Sequence, residues 1–452
     1  MSIPAPGTDR APRASVADSL RTLVRVLLPL VARGVIIRRP RVVALAERLD
    51  LDRRAVQQLQ RLRERYGEGP LVLRLPVRRL AMVLDPDHVH RILQGSPEPF
   101  ASANWEKENA LAHFQPRGVL ISHGQVREQR REVNEVALDT EAPVHHLADD
   151  LIAKVNDEVD RLRHGVGPVG ELDWDDFIAG WARMVRRVSL GEGAADDREL
   201  ADLLTELREH ANWSVLRPKD DELRERFLER LRTHVDRREP VSLAAMFDRV
   251  PTPPETAPHE QVPQWLFAFE PAGMATFRTL ALLATHPDHL EQVRAEVADL
   301  DLSRPHELPY TRACVLESLR LWPTTPAILR DTTTETTWER GLLPSGTGLL
   351  IVAPFFHRDE SRLVEAHRFA PELWAEPRSV EDWPLVPFSE GPVVCPGQPL
   401  VLLIASTVVA RLVKEHDLRM HDAGRLSRNG RLPSVLDNFS LRFALRRRES
   451  TS

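Results

Sequence analysis

The sequence predicts a mainly α-helical protein with small β-sheets near both ends of the chain. From residue 124 to about 240, apolar side chains recur at helical spacing. Two long apolar segments, 265–284 and about 399–413, are typical of buried helices. Short apolar stretches at 71–84 and 349–352, flanked by turn residues, are typical of strands.

Length and composition bound the domain organisation: 452 residues suggest about three domains, although large single enzyme folds routinely break that rule. With 452 residues, of which 42% are hydrophobic and 28% charged, the chain has the composition of a soluble protein with a large core. Residues 1–18 are rich in Pro, Ala and polar side chains and predict a flexible N-terminal tail. Residues 19–452 are expected to form one domain: a β-rich part at about 65–95, a helical core at about 124–322 and a strand-and-loop region at about 323–452.

Charge and cysteine content exclude several classes of protein. The net charge of −6 argues against a general nucleic-acid binder, whose surface would be basic. The two cysteines, Cys314 and Cys395, cannot form a disulfide framework or a multi-cysteine zinc site. The apolar stretch at 20–37 is interrupted by three arginines and a proline, which excludes a membrane anchor or a signal peptide there. A cytoplasmic protein is expected.

The connections between these elements are also marked in the sequence. A helix over 53–66 ends at Gly67, and the 96–122 segment lacks a clean period and is expected to be a long loop with short helical pieces. The proline-rich run at 251–258 predicts a rigid connector. Two further helices, 287–300 and 308–321, follow the long apolar segment.

The strongest chemical signal is the loop before the last apolar helix, with Phe388, Gly391, Cys395 and Gly397 in the pattern Phe-x-x-Gly-x-x-x-Cys-x-Gly. A thiolate that reaches a buried cofactor from a loop needs glycines for close backbone approach, and the following helix N-terminus stabilises its negative charge. For a cysteine considered alone, a structural role on a buried turn is the commoner alternative.

Two more motifs precede this loop. Glu317 and Arg320, 78 residues upstream, stand three residues apart, which also suits an ordinary surface ion pair. Within the long apolar segment lies Ala272-Gly273-Met274-Ala275-Thr276, 41 residues before Glu317. In this order and at these separations, the three motifs resemble those of the cytochrome P450 family.

The resemblance, which extends from about residue 35 to the C-terminus, implies the P450 fold. In that helix-rich triangular prism, haem b lies between an oxygen-binding helix and the cysteine loop. It implies Cys395 as the iron ligand, with Phe388, Gly391 and Gly397 shaping the loop. Glu317 and Arg320 correspond to the family's buried structural lock. Thr276 corresponds to the oxygen-side hydroxyl, beside which Ala272 and Gly273 leave room for oxygen.

Further site residues are implied by the same resemblance. Arg330 and Arg130 are expected to bind the haem propionates, because buried carboxylates require bidentate cationic partners. A charged, solvated face is the alternative for Arg130. Phe269, Phe277 and Ala327 are expected to line the substrate pocket.

Four positions depart from the family pattern. Ala275 replaces the acid before the threonine, and Glu270 stands well off the face of Thr276 and is a poor substitute. Leu373 occupies the place of a third lock residue, with Arg368, Arg378 or no third residue as the open alternatives. Val393 replaces a propionate-binding residue of the cysteine loop, and Val126 replaces a tryptophan.

The implied activity is the insertion of one oxygen atom from O2 into a small organic substrate. A Gly-rich dinucleotide-binding fingerprint is absent from the sequence, so electrons are expected from a separate ferredoxin-type donor and its reductase. The missing acid leaves two alternatives open: peroxide use or nitric oxide reduction on the same cofactor, and a haem-binding scaffold without catalysis. A nucleic acid is not expected as a partner.

Overall fold

The computed structural model describes residues 10–166, 169–428 and 430–448, and it confirms a mainly helical architecture with small sheets. The helices are, in chain order, α1 (Val16–Thr22), α2 (Leu28–Ala32), α3 (Pro40–Arg48), α4 (Leu51–Tyr66), α5 (Pro86–Gln94), α6 (Trp105–Leu111), α7 (Gly124–Leu138), α8 (Ala148–Val166), α9 (Trp174–Leu190), α10 (Arg198–Ala211), α11 (Asp221–Asp236), α12 (Val262–Thr285), α13 (Pro287–Val297), α14 (Pro309–Leu321), α15 (Ala353–His357) and α16 (Gln398–Glu415). A π-helical turn, Leu23–Leu27, joins α1 to α2.

The strands form three sheets. They are β1 (Leu71–Val72), β2 (Leu80–Met82), β3 (Phe100–Ala101), β4 (Val169–Asp173), β5 (Ala327–Thr332), β6 (Thr336–Trp338), β7 (Gly341–Leu343), β8 (Gly348–Val352), β9 (His416–Met420) and β10 (Arg442–Arg447). The largest sheet has the order β1-β2-β8-β5-β3, and its β2 and β8 run parallel while its other pairs are antiparallel. The predicted strands at 71–84 and 349–352 therefore belong to one sheet.

The core has two main parts. The larger lies among α7, α8, α9, α12, α14 and α16, and the smaller packs the largest sheet against α4 and α5. The helices α12 and α16 are predominantly apolar and are buried without interruption over 272–283 and 400–410, as expected for helices that cross the middle of a large domain. Helix α12 carries Thr276, and α16 begins directly after the loop that contains Cys395.

The N-terminal residues correct part of the predicted tail. Residues 1–9 lie outside the described residues, but residues 10–18 pack against the body. The Ala14 N–H donates to the Val72 carbonyl at 2.9 Å, and Ser15 caps α1 through the Asp18 N–H. The buried Asp18 carboxylate accepts a hydrogen bond from the Tyr66 hydroxyl at 2.7 Å. These contacts satisfy polar groups that composition alone assigns to solvent.

The 96–122 segment contains β3, α6 and a 3-10 turn, Val119–Ile121. The connector at 251–258 is followed closely by α12 and contains a 3-10 turn, Pro254–Thr256. Within the described residues, no helix combines the length and the apolar character that crossing a membrane requires.

Candidate active site

The loop from Phe388 to Gln398 holds Cys395 directly before α16. The Cys395 N–H donates to the Phe388 carbonyl at 3.0 Å, and the Gln398 N–H donates to the Cys395 carbonyl at 3.3 Å. The Val394 N–H closes a turn onto the Gly391 carbonyl at 2.9 Å. The loop conformation is therefore set by its own backbone hydrogen bonds.

The two loop glycines differ in what they require. Gly391 has φ +70°, and a Cβ there would lie 2.5 Å from the Leu93 carbonyl oxygen, so only glycine fits. At Gly397, a Cβ would meet nothing nearer than Leu138 Cδ1 at 3.9 Å, and φ is −87°. Contacts with the surrounding protein thus explain why residue 391 is a glycine. They do not explain the glycine at 397, beside which there is free space.

Cys395 is surrounded by protein, yet it is only partly buried by its accessible surface. Burial raises its pKa, while the N–H groups of Gly397 and Gln398 and the charge of Arg131 act in the opposite direction. Cys314 differs, because it is fully buried within α14 and burial raises its pKa well above the ordinary value.

Three contacts tie the cysteine loop to neighbouring elements. Arg131 of α7 donates to the Val394 carbonyl at 2.8 Å, and Thr140 donates to the Pro396 carbonyl at 2.9 Å. On the other side, Arg330 of β5 donates to the Ser389 hydroxyl at 3.3 Å. The loop is thereby held between α7 and the largest sheet.

A cluster of three cations, Lys107, Arg127 and Arg330, lies beside this loop. Burial lowers the pKa of Arg330 to about 10, with a further contribution from Arg127. Burial and the charge of Arg330 lower the pKa of Lys107 to about 7. Burial also lowers the pKa of Arg127, whose Nε has no hydrogen-bond partner among the described residues.

The cation cluster lacks carboxylate partners among the described residues. The nearby carboxylates of Glu106 and Asp331 instead pair with Arg78, each at 2.6 Å. Uncompensated buried charges are costly. The cluster is therefore suited to a bound group that brings carboxylates of its own.

The structural lock is a buried ion pair. Glu317 and Arg320 on α14 are both fully buried, and the Arg320 Nε and Nη2 donate to the two Glu317 carboxylate oxygens at 2.7 and 2.5 Å. The remaining Arg320 donors reach backbone carbonyls at 2.8–3.4 Å, those of His357, Glu365, Ala366 and Arg368. The pair thus anchors the chain that leads to the cysteine loop.

Trp374 completes the lock where an arginine was sought. Its Nε1 donates to Glu317 Oε2 at 3.0 Å, and the Ala370 N–H donates to Oε1 at 2.9 Å. Neither arginine alternative bonds Glu317: Arg368 contributes its carbonyl to Arg320, and Arg378 donates to the Trp383 carbonyl at 2.7 Å. Trp374 adjoins Leu373. Its role is not evident from the sequence, because a neutral indole does not stand out as a substitute for an arginine.

On α12, the Thr276 hydroxyl is buried and donates to the Ala272 carbonyl at 2.8 Å. The structure corrects the role of Gly273. A Cβ there would lie 3.0 Å from the indole of Trp181, whose Nε1 donates to the Phe269 carbonyl at 2.7 Å. The absent side chain therefore makes room for a tryptophan of α9. The sequence signalled Trp181 only as one apolar residue of a helix.

Comparison with known proteins places this site in a family. Residues 268–437 match the family model described as Cytochrome P450. That range contains the threonine motif of α12, the lock and the cysteine loop. This part of the chain is similar to the cytochrome P450 family.

Curated proteins match the chain over part of its length. Sugiol synthase of Salvia miltiorrhiza is 34% identical over 176 residues, 36% of this chain and 35% of the relative. Cyclooctat-9-en-7-ol 5-monooxygenase of Streptomyces melanosporofaciens is 34% identical over 146 residues, 30% of this chain and 32% of the relative. The chain therefore matches about a third of the length of these proteins.

Solved structures extend the likeness of the fold to nearly the whole chain. A cytochrome P450 designated CYP102L1 aligns with a TM-score of 0.74 and 18% identity, over 98% of this chain and all of the other. The retinoic acid-bound cyanobacterial CYP120A1 aligns with a TM-score of 0.69 and 19% identity, over 86% of this chain and 94% of the other. These matches confirm the P450 fold.

The residues of this site fit haem, the cofactor that similarity to the family implies. Haem carries an iron that accepts a thiolate and two propionate carboxylates that require cations. Cys395 is only partly buried and precedes the N-terminus of α16, and the cation cluster lacks carboxylate partners among the described residues. Lys107, Arg127 and Arg330 are thus the residues suited to the propionates.

Arg130 does not belong to this set, which corrects the expectation from sequence. Its guanidinium donates to the Glu255 carbonyl at 3.0 and 2.8 Å and to the Ser122 hydroxyl at 2.6 Å. It joins α7 to the 3-10 turn before α12. Arg127, one turn earlier on α7, has the free donor instead.

Phe277, which the sequence predicts to line the substrate pocket, lies elsewhere. It is fully buried in an aromatic cluster with Trp174, Phe177 and Phe443, at centroid distances of 5.6, 4.8 and 5.1 Å. It therefore belongs to the core between α9 and β10. Phe269 is buried on α12, and Ala327 begins β5 with part of its surface accessible.

Replacing Arg127 by Gln is expected to weaken haem binding on the order of tenfold, because a cation that faces the propionates is lost. Arg130→Gln is the matched control from the same helix and is expected to lower stability while haem affinity stays unchanged. The rate of haem loss to a scavenging protein, together with urea unfolding, measures both. Equal haem loss from the two variants would contradict the assignment.

Trp374→Phe is expected to destabilise the fold by about 1–3 kcal/mol and to lower the haem content, because Glu317 loses a donor while it stays buried and charged. Trp383→Phe removes another indole hydrogen bond, to the Phe356 carbonyl, outside the lock. Haem-to-protein ratios of the purified variants are compared. A haem content reduced equally in both would count against a specific role of Trp374.

Proposed function

We propose that this protein is a haem-thiolate monooxygenase that inserts one oxygen atom from O2 into a small organic substrate. The observation that carries the proposal is the juxtaposition of Cys395, before the N-terminus of α16, with the buried Arg127 and Arg330 and the half-buried Lys107, three cations that lack carboxylate partners among the described residues. A thiolate and a cationic cradle are the two requirements of a haem-thiolate site.

The protein's part in holding the cofactor follows from the loop. Haem b bound through a thiolate supplies the activation of oxygen. Cys395 holds the iron, and the N–H groups of Gly397 and Gln398 and the charge of Arg131 stabilise its sulfur as a thiolate. Lys107 and Arg330 hold the propionates together with Arg127. A side chain at Gly397 would have only Leu138 within 4 Å of its Cβ, so the protein leaves room there for a bound group.

Proton supply falls to Thr276 in this chain. Ala275 has no acid to offer, and Glu270 is bound to Arg208 of α10 at 2.6 Å. Six residues of helix also separate Glu270 from the face of Thr276. The Thr276 hydroxyl can instead hold a water or a substrate hydroxyl that delivers the proton, beside the small side chain of Ala272.

The remaining features of the reaction follow from chemistry and from the relatives. One matched relative is named as a monooxygenase, which supports the reaction class. We assign electron delivery to a ferredoxin-type donor with its reductase, and we place the protein in the cytoplasm, where a free thiol persists. Phe269 and Ala327 remain the proposed pocket residues.

Ala275 favours a second candidate on the same cofactor. A site without an acid next to Thr276 suits peroxide, which already carries protons, or nitric oxide reduction. A haem-binding scaffold without turnover is the third possibility, which Ala275, Leu373 and Val393 motivate together. The three differ in which co-substrate they consume.

The first test is the absorption spectrum of the reduced protein under carbon monoxide. A strongly red-shifted Soret band is expected for the parent protein and is expected to be lost in Cys395→Ala, because thiolate ligation produces the shift. Cys314→Ala is the matched control and should keep the band, since Cys314 lies inside α14. A shifted band that survives in Cys395→Ala would overturn the proposal.

Thr276→Ala is expected to lower product formed per electron consumed with a ferredoxin donor by about tenfold or more, because the hydroxyl that orients the proton donor is lost. Thr279→Ala is the matched control, since Thr279 makes the same hydrogen bond to the carbonyl four residues earlier, at 2.8 Å. The assay measures product against reductant with a panel of small organic substrates.

The same assay separates the alternatives. Turnover with hydrogen peroxide but not with ferredoxin would replace the monooxygenase by a peroxygenase. Nitric oxide consumption driven directly by a nicotinamide cofactor would indicate the reductase. Full haem content without turnover of any co-substrate would favour the scaffold.

A further inference from the structure

Helix α5 contacts the cysteine loop at Glu390. The Nδ1 of His90 lies 3.0 and 2.9 Å from the two oxygens of the Glu390 carboxylate, which also accepts from the Gln94 Nε2 at 2.8 Å. Beside it, the backbone of Gly391 lies so close to α5 that a Cβ would come within 2.5 Å of the Leu93 carbonyl oxygen. The loop is therefore in direct contact with the C-terminal half of α5, in addition to α7 and β5.

The two partners of His90 require its ring to be an imidazolium. Its Nε2 lies 2.9 Å from the Asp382 carbonyl oxygen, which can only accept, so Nε2 carries a hydrogen. Its Nδ1 faces the ionised Glu390 carboxylate, which also only accepts, so Nδ1 carries a hydrogen as well. The other charges near His90 are the carboxylates of Asp87 and Asp382, with Arg378 beside the latter. His90 is thus surrounded mainly by acids.

The pKa values of both partners shift toward the charged forms. The hydrogen bond to Glu390 raises the pKa of His90 above its ordinary value of 6.5, although burial opposes this effect. Burial acts to raise the pKa of Glu390, but the hydrogen bonds from His90 and Gln94 outweigh it and lower that pKa. The pair is therefore charged at neutral pH.

Glu390 lies where the cysteine loop turns. The residues on either side of it have positive φ, +67° at Ser389 and +70° at Gly391, and this left-handed conformation is unfavourable for a serine. Directly before this turn, the Phe388 carbonyl accepts from the Cys395 N–H at 3.0 Å. The contacts of Glu390 with α5 therefore stabilise the turn from which Cys395 is held.

We propose that His90 is a positioning residue: as an imidazolium bound to Glu390, it holds the cysteine loop against α5 and so keeps Cys395 in place as the iron ligand. The iron in this statement rests on the proposed function, whereas the attachment of the loop does not. A neutral His90 could donate to only one of its two acceptors. The attachment is therefore fully present below the ordinary pKa of 6.5 and is lost as the pH rises through the raised pKa of His90.

The first test measures hydrogen exchange of the purified protein by mass spectrometry, in peptides that cover residues 386–398. In the parent, corrected for the intrinsic effect of pH, protection of this loop is expected to decline between about pH 6 and about pH 9. In His90→Gln, protection is expected to be at least about tenfold lower at about pH 6 and to change little with pH. Equal protection in the two proteins at about pH 6 would overturn the proposal, and so would a decline with pH in His90→Gln that matches that of the parent.

The matched control is His88→Gln. His88 is a second buried histidine of α5, and its Nε2 lies 2.7 Å from the carboxylate of Glu339, which is outside the cysteine loop. This variant is expected to lose stability but to keep the parent's protection and pH profile at residues 386–398. An equal loss of loop protection in both histidine variants would mean that any disturbance of α5 has this effect, and it would overturn the specific role of His90.

A third variant, Glu390→Gln, removes the negative charge of the pair while it keeps an acceptor. Loop protection is expected to fall by about the same factor as in His90→Gln. The double variant His90→Gln/Glu390→Gln is expected to lose at most about twofold more than either single variant, because both substitutions remove one interaction. A loss equal to the product of the two single losses would show that the two residues act separately and would contradict the proposal.

The absorption spectrum under carbon monoxide tests the link to the iron ligand. The red-shifted Soret band of the reduced protein is expected to convert to an unshifted band at least about tenfold faster in His90→Gln than in the parent or in His88→Gln. Equal rates in all three proteins would overturn the link to Cys395. A parent that never shows the shifted band would instead contradict the proposed function, while hydrogen exchange would still decide whether His90 holds the loop.

Discussion

The ion pair between Glu317 and Arg320 holds together the part of the chain on which the cysteine loop depends. Removing two charges from water is expensive, and removing one partner of such a pair costs about 3–5 kcal/mol. This chain compensates both charges fully: Arg320 donates to four backbone carbonyls besides Glu317, while Glu317 also accepts from the Ala370 N–H and from Trp374. All of these partners lie between residues 357 and 374. The pair therefore fixes that segment on α14, and the loop with Cys395 continues from it.

The cation cluster differs from the lock, because its charges lack carboxylate partners among the described residues. Lys107, Arg127 and Arg330 are brought together by α6, α7 and β5, yet the nearby carboxylates are already paired with Arg78. Their mutual repulsion opposes folding until an anion neutralises them. Because a ligand that binds only the folded state stabilises it, loading of the cofactor and stability of the fold are coupled through these three side chains.

The sequence predicted the fold because its strongest signals are local. The cysteine loop, the lock pair and the fully apolar α12 stand in fixed order, and each can be recognised without knowledge of its neighbours. The errors concern side chains whose role depends on distant partners. From the sequence, Arg127 and Arg130 are equally good candidates on α7. Only the structure shows that Arg130 donates to the Glu255 carbonyl. Apolar side chains lie on every face of α12. The spacing of its apolar residues therefore could not show that Phe277 faces the core while Thr276 lies on another face. Trp374 was overlooked because its hydrogen bond, and not its charge, serves Glu317.

The contact between Gly273 and Trp181 has a consequence for the shape of the interior. The indole occupies the volume that any side chain at position 273 would need, and it also binds the Phe269 carbonyl. Packing in a protein core conserves total volume more strictly than it conserves residue identity. The side-chain volumes at positions 273 and 181 are therefore coupled. A redesign of α12 that enlarges the side chain at one of them has to reduce the side chain at the other in the same step.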